Sequence, residues 1–124
     1  MDQMNRLVIQ LPWPDTSLMP NRKNGRHWGS THAAKRKAFN DAFLATKAAA
    51  SGKGIMITDR VQVSITFVAP DKRNRDLDNL LACIKQQIDG IALALGIDDK
   101  MFRPFVLDSA IDVNREGFLL VEIG

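Results

Sequence analysis

The stretch "RVQVSITFVAP", Arg60 to Pro70, alternates Val61, Val63, Ile65 and Phe67 with polar neighbours. Alternation of period two puts every second side chain on one face, which predicts a strand with one face in a core. A strand in mid-chain needs pairing partners, and three further segments supply them. "RLVIQLPWP", Arg6 to Pro14, starts as a strand and is stopped by its prolines. Two more strands are predicted near Phe105 to Val113 and Phe118 to Ile123, joined by a turn at "NREG". Between them the period changes to that of a helix. Ser30 or Thr31 can cap a helix to about Ala50, with Ala38, Ala42, Phe43, Ala45 and Ala49 on one face and "SGKG" as its end. A second helix is expected from about Asn79 to Leu95, striped by Leu80, Leu81, Ile84, Ile88, Ile91 and Leu95 and stopped by Gly96. The order β-α-β-α-β-β predicts an α/β (α+β) fold, a mixed sheet covered by two helices.

At 124 residues the chain is expected to form one domain, residues 1 to 124. No apolar run approaches the length of a membrane span. Asp2 and Pro12 interrupt any secretory-signal pattern, and the single cysteine, Cys83, excludes an internal disulfide and a cysteine-based zinc site. The expectation is a cytoplasmic protein with no membrane partner. Net charge is only +3, but residues 1 to 37 carry seven Lys/Arg against two acids, while residues 76 to 124 carry four against nine. Such a split can be an accident of solvation. It also suits a protein that holds a polyanion and sets carboxylates beside one phosphate.

The chemistry gathers in "DKRNRDLDNLLACIKQQIDG", residues 71 to 90. Asp76 and Asp78 lie two positions apart, which in extended backbone aims both carboxylates to one side. Two like charges ~4 Å apart repel by about 4 kcal/mol at an effective dielectric of 20, and a cation offsets this. Hard oxygen donors of this kind suit Mg²⁺ or Mn²⁺. A bare D-x-D is more often a helix cap beside a solvated acid. Here Lys72, Arg73 and Arg75 precede the pair, and Asp98 and Asp99 follow the helix. Lys85 is seven residues beyond Asp78, two turns of an unbroken helix, and would share its face along with Asp89.

"RDLDNLL" followed by a helix and then "GIDD" resembles the RusA-type Holliday-junction resolvases, small endonucleases often encoded by prophages. "LPWP", "GRHW" and "VAPDKRNRDLDN" fit the same pattern, so the resemblance covers most of the chain. It implies a homodimeric Mg²⁺-dependent nuclease making paired cuts in four-way junction DNA. By motif position Asp76, Asp78 and Asp99 match that family's catalytic metal ligands. Its functional lysine lies, in some members, four residues after the second aspartate, at Ala82 here, and Lys85 is taken as its substitute. Asp98 is read as an outer support of the metal.

Arg22, Lys23 and Arg26, with Trp28, form a basic loop suited to phosphate contact and stacking, and Lys72, Arg73, Arg75 and Asn79 complete the expected DNA contacts. Lys35, Arg36 and Lys37 open the first helix, where cations oppose the helix dipole. His27 and His32 lack metal-ligand spacing, and Cys83 is read as a small filler. Asp108, Asp112, Glu116 and Glu122 are read as ordinary strand and turn charges. A non-catalytic junction-binding protein and a small metal-dependent nucleotide phosphohydrolase remain as the other readings.

Overall fold

The computed structural model describes residues 6–19 and 28–124, with side chains throughout these except at 28–30. Four strands form one sheet in the order β1-β4-β2-β3: β1 (Leu7–Pro12), β2 (Val61–Ala69), β3 (Phe102–Ile111) and β4 (Phe118–Ile123). β4 is antiparallel to both β1 and β2, whereas β2 and β3 run parallel. A parallel pair needs a crossover, and α2 (Leu77–Ala82) and α3 (Lys85–Leu95) form it. The long helix α1 (Trp28–Ala50) joins β1 to β2. The expected mixed sheet with helices on it is the observed architecture.

Alternation decides which face is covered. Leu7, Ile9 and Leu11 of β1, Val63, Ile65 and Phe67 of β2, and Leu119, Val121 and Ile123 of β4 are all buried. They form one core with Ala42 of α1, Leu80 of α2 and Ile91 of α3. The two long helices approach closely because Gly90 has no side chain: a Cβ there would lie 2.5 Å from the Phe39 carbonyl oxygen. Overpacking of this kind costs about 1–3 kcal/mol in a close-packed interior, so Gly90 sets the distance between α1 and α3.

The expected second helix is two helices. The break falls at Cys83 and Ile84, whose backbone angles are −81°/−5° and −111°/20°. Both side chains are buried, at 3% and 1% exposure. Successive residues of a regular helix point about 100° apart, so sending both into the core favours a local break. The sequence carries no glycine or proline there to announce it. β3 begins at Phe102, three residues before the expected Phe105, and ends at Ile111. Among the described residues no helix is long and apolar enough to cross a membrane.

Candidate functional site

The carboxyl ends of β2 and β3, the loop after β2 and the start of α2 enclose an open cleft of about 390 Å³. Phe67, Ala69 and Leu80 contribute apolar walls, Ile111 closes one side, and Lys72, Arg73 and Arg75 bring the positive charge. Crevices outside the carboxyl ends of parallel strands are the usual ligand sites of α/β sheets.

Asp71 organises the basic loop. Its Oδ1 accepts the backbone N–H of Arg73 at 2.9 Å and pairs with the Arg75 guanidinium at 2.9 Å. These contacts, the backbone N–H first, hold the Asp71 carboxyl below the usual carboxylate range. Arg75 also donates to the Arg73 carbonyl at 3.3 Å and lies 5.3 Å from the centre of the Trp13 ring. Its side chain is only 16% exposed. Arg75, expected to contact DNA, is thus engaged as a strut between the loop and the segment just after β1. Lys72 and Arg73 are exposed, and neither side chain forms an ion pair among the described residues.

Asp76 is the N-cap residue of α2 through its backbone, whose carbonyl accepts the Leu80 N–H at 3.1 Å, but its carboxylate makes no capping bond. Asp78 lies in the first helical turn, where its Oδ1 accepts the adjacent Asn79 N–H at 2.9 Å. Both aspartates are exposed. Asp76 is extended and Asp78 is already helical, so the pair lies at a helix N-terminus rather than in an extended segment. Asn79 is half-buried beside them.

Asp99 stands elsewhere. It opens a short 3-10 turn, Asp99–Met101, and partial desolvation, then contacts with Asp98 and Asp89, raise its carboxyl above the ordinary range. Asp98 is held below that range, chiefly by the Lys100 backbone N–H. Lys85 is the first residue of α3 and pairs with Asp89 at 3.4 Å. With the helix broken at Cys83–Ile84, Asp78 and Lys85 are not joined by the unbroken two-turn spacing that would put them on one face. The partner of Lys85 is Asp89, which in turn acts on Asp99. Among the described residues no three His, Cys, Asp or Glu side chains are grouped to hold a metal ion.

Arg22, Lys23, Arg26 and His27 lie outside the described residues. His32 is exposed, and Lys37 pairs with Asp41 at 2.7 Å. Cys83 is buried, and burial pushes its thiol up to about 11, which suits the filler role. Asp112 is not an ordinary turn charge. It is buried, and its carboxylate accepts the backbone N–H groups of Gly117, Asn114 and Glu116 at 2.8, 3.0 and 3.2 Å. An aspartate two residues before Asn114 at a strand end is a recognisable turn signal. The Trp13–Arg75 contact joins residues distant in sequence and had no local signal.

No family model matches the chain. An uncharacterized protein of Xylella fastidiosa (strain Temecula1 / ATCC 700964) is 36% identical over 118 residues, spanning 93% of this chain and 74% of that one. Among solved structures, a cyanuric acid hydrolase from A. caulinodans aligns over 96% of this chain with a TM-score of 0.35 and 17% identity. The chain spans 38% of that enzyme's length, and the likeness is too weak to indicate a shared fold or activity.

Proposed function

The chain belongs to the same family as the Xylella fastidiosa protein, and we propose that it is a Mg²⁺-dependent, structure-selective DNA endonuclease. In this reading two copies act in the cytoplasm and resolve four-way junctions by paired phosphodiester cuts. One observation supports it: the loop whose exposed cations Lys72 and Arg73 line the cleft leads in sequence into the exposed acids Asp76 and Asp78 at the start of α2, and the Asp76 carboxylate makes no capping bond. Clustered cations neutralise phosphate and position a nucleic-acid backbone.

A preassembled three-aspartate centre does not fit this arrangement, because Asp99 stands with Asp89 and Asp98. A two-carboxylate set does fit, since Mg²⁺ is commonly held by one or two carboxylates with waters and substrate phosphate completing its shell. Asp76 and Asp78 are the residues that would hold it. Bound there, the ion supplies Lewis-acid stabilisation of the charge developing on a phosphodiester and a water of lowered pKa. The chain's own part is positional. Lys72 and Arg73 contact phosphate, and the Asp71–Arg75–Trp13 strut fixes the loop that presents them.

The separation of Asp99 from the pair favours a second reading, a junction-binding protein without nuclease activity. Incubation of the protein with labelled four-way junction, linear duplex and nucleotides, each with Mg²⁺ or EDTA, separates the two. Mg²⁺-dependent paired nicks in the junction alone are expected. Retarded but uncut junction would leave the binding reading, and release of phosphate from nucleotides would replace both.

A further inference from the structure

Among the described residues the buried polar side chains are Ser17, Thr46, Gln87 and Asp112, and the fold satisfies only some of them. The Thr46 hydroxyl donates to the Ala42 carbonyl at 2.7 Å, and the Asp112 carboxylate takes three backbone N–H groups. Gln87 Oε1 and Ser17 Oγ have no hydrogen-bond partner among the described residues. A buried acceptor left unpaired costs its full desolvation, so such a group calls for an explanation.

Gln87 occupies a core position of α3. Ile84, Gln87 and Ile91 follow the spacing of one helical face, and none is more than 5% exposed. An apolar side chain is the ordinary occupant of such a position. Gln87 instead lines a cavity of about 150 Å³ between α1, α3 and the segment after β1. Trp13, Leu18 and Ala34 give this cavity apolar walls, and Lys37 and Asp41, paired at 2.7 Å, stand at its edge. Ser17 belongs to the same short turn as Leu18. Trp13 also links the cavity to the basic cleft, because Phe67 and Arg75, which line the cleft, lie against its ring.

These groups select a ligand. An engineered cavity of about 150 Å³ binds benzene, so the space suits one six-membered ring. A purely apolar ring would leave Gln87 Oε1 unpaired. A phosphate or carboxylate would find Lys37 already paired and would meet the Asp41 carboxylate. What fits is a flat ring with N–H donors for Gln87 Oε1 and Asp41 and a carbonyl acceptor for the Lys37 ammonium. We propose that the cavity is a nucleobase site, taking one pyrimidine ring beside Trp13 with an N–H directed at Gln87 Oε1. It rests on the DNA reading above only for the source of the base. A strand held by Lys72 and Arg73 passes close to Trp13, and a base out of its stack can turn into the cavity.

Nuclear magnetic resonance titrations of the whole chain in EDTA, with thymidine, adenosine, oligo(dT) and oligo(dA), test it. Thymidine and oligo(dT) should shift the Gln87 side-chain amide and the backbone signals of Ala34 and Asp41, while the purine ligands leave them in place. Shifts with oligo(dT) alone would assign the base to a strand, and shifts with thymidine alone to a free nucleoside; both support the site. Gln87→Leu removes an unpaired acceptor, so it should melt no lower than wild type. It should weaken oligo(dT) binding about ten-fold, the worth of one hydrogen bond. Ala34→Phe, which fills the cavity from a half-buried position, should erase the preference for oligo(dT) over oligo(dA). Equal shifts with adenosine overturn the proposal, as does undiminished oligo(dT) binding by both variants. So does the absence of any shift, which would leave water as the occupant. A protein that shows these shifts but never cuts a junction would overturn the nuclease reading and not the nucleobase site.

Discussion

Asp112 and Asp76 carry the same side chain at two chain reversals, and the fold treats them in opposite ways. At the end of β3 the Asp112 carboxylate is buried and accepts three backbone N–H groups. The turn it closes includes Gly117 at φ +83°, where a Cβ would lie 2.9 Å from Pro70 and 3.2 Å from Trp13. At the start of α2 the Asp76 carboxylate is exposed and caps nothing, although backbone donors of the first helical turn stand beside it. A carboxylate with internal partners holds the chain. One without them is left exposed, and in the proposed reading its oxygens are the ones offered to Mg²⁺.

The largest effect should come from exchanging one oxygen of Asp76. Asp76→Asn keeps the shape and the backbone role but replaces the proposed Mg²⁺ ligand by a poor one. Junction cleavage should fall by about a hundred-fold or more, as expected when a metal ligand is removed. The melting temperature should hardly move, because surface substitutions without structural contacts stay within about 0.5 kcal/mol. Parallel cleavage and thermal-melt series check both halves. A lower melting point with intact cleavage would make Asp76 the structural residue of the two.

Asp112→Asn should show the reverse. It leaves three backbone donors with a weaker acceptor, so the melting temperature should fall by several degrees. Cleavage per folded molecule, measured well below the transition, should stay near wild type. If activity fell in proportion while stability held, the β3–β4 turn would belong to the site.

A third contrast lies within the basic loop. Lys72→Ala combined with Arg73→Ala should weaken binding to any DNA. It should also lower the slope of log affinity against log salt by about 2, close to one unit for each phosphate no longer neutralised. Arg75→Ala should change the slope little and the stability of the loop more, since its guanidinium is already taken up by Asp71 and Trp13. Gel-shift titrations at several salt concentrations separate the two variants.

What the sequence made legible follows the range of each interaction. β2 and β4 were read within a residue or two because alternation is a local property that burial enforces. The basic loop and the acids around it were equally local. The break at Cys83–Ile84 was not legible, because it answers to the core into which both side chains turn. That break separates Lys85 from the helix of Asp78, while its i,i+4 partner Asp89 stays with it in α3. The parallel pairing of β2 and β3 places the cleft, and only the assembled sheet contains that information. Asp99 shows the same limit, since its neighbours are set by how the chain folds back after Gly96.

The smallest expected effect concerns acid. The backbone N–H of Gly117, then those of Asn114 and Glu116, hold the Asp112 carboxyl below its ordinary value in the folded protein. An acid whose folded pKa is depressed contributes stability that is fully present above its unfolded pKa of about 3.9 and is lost as pH falls through the lower folded value. The gap in melting temperature between wild type and Asp112→Asn should therefore be constant from neutral pH down to about pH 5 and narrow below about pH 4. Melts of both proteins across that range measure the gap directly. A gap that persists unchanged well below pH 4 would mean that the shape of the side chain, not its charge, holds the turn. Asp76 and Asp112 would then differ in packing rather than in the use of their charge.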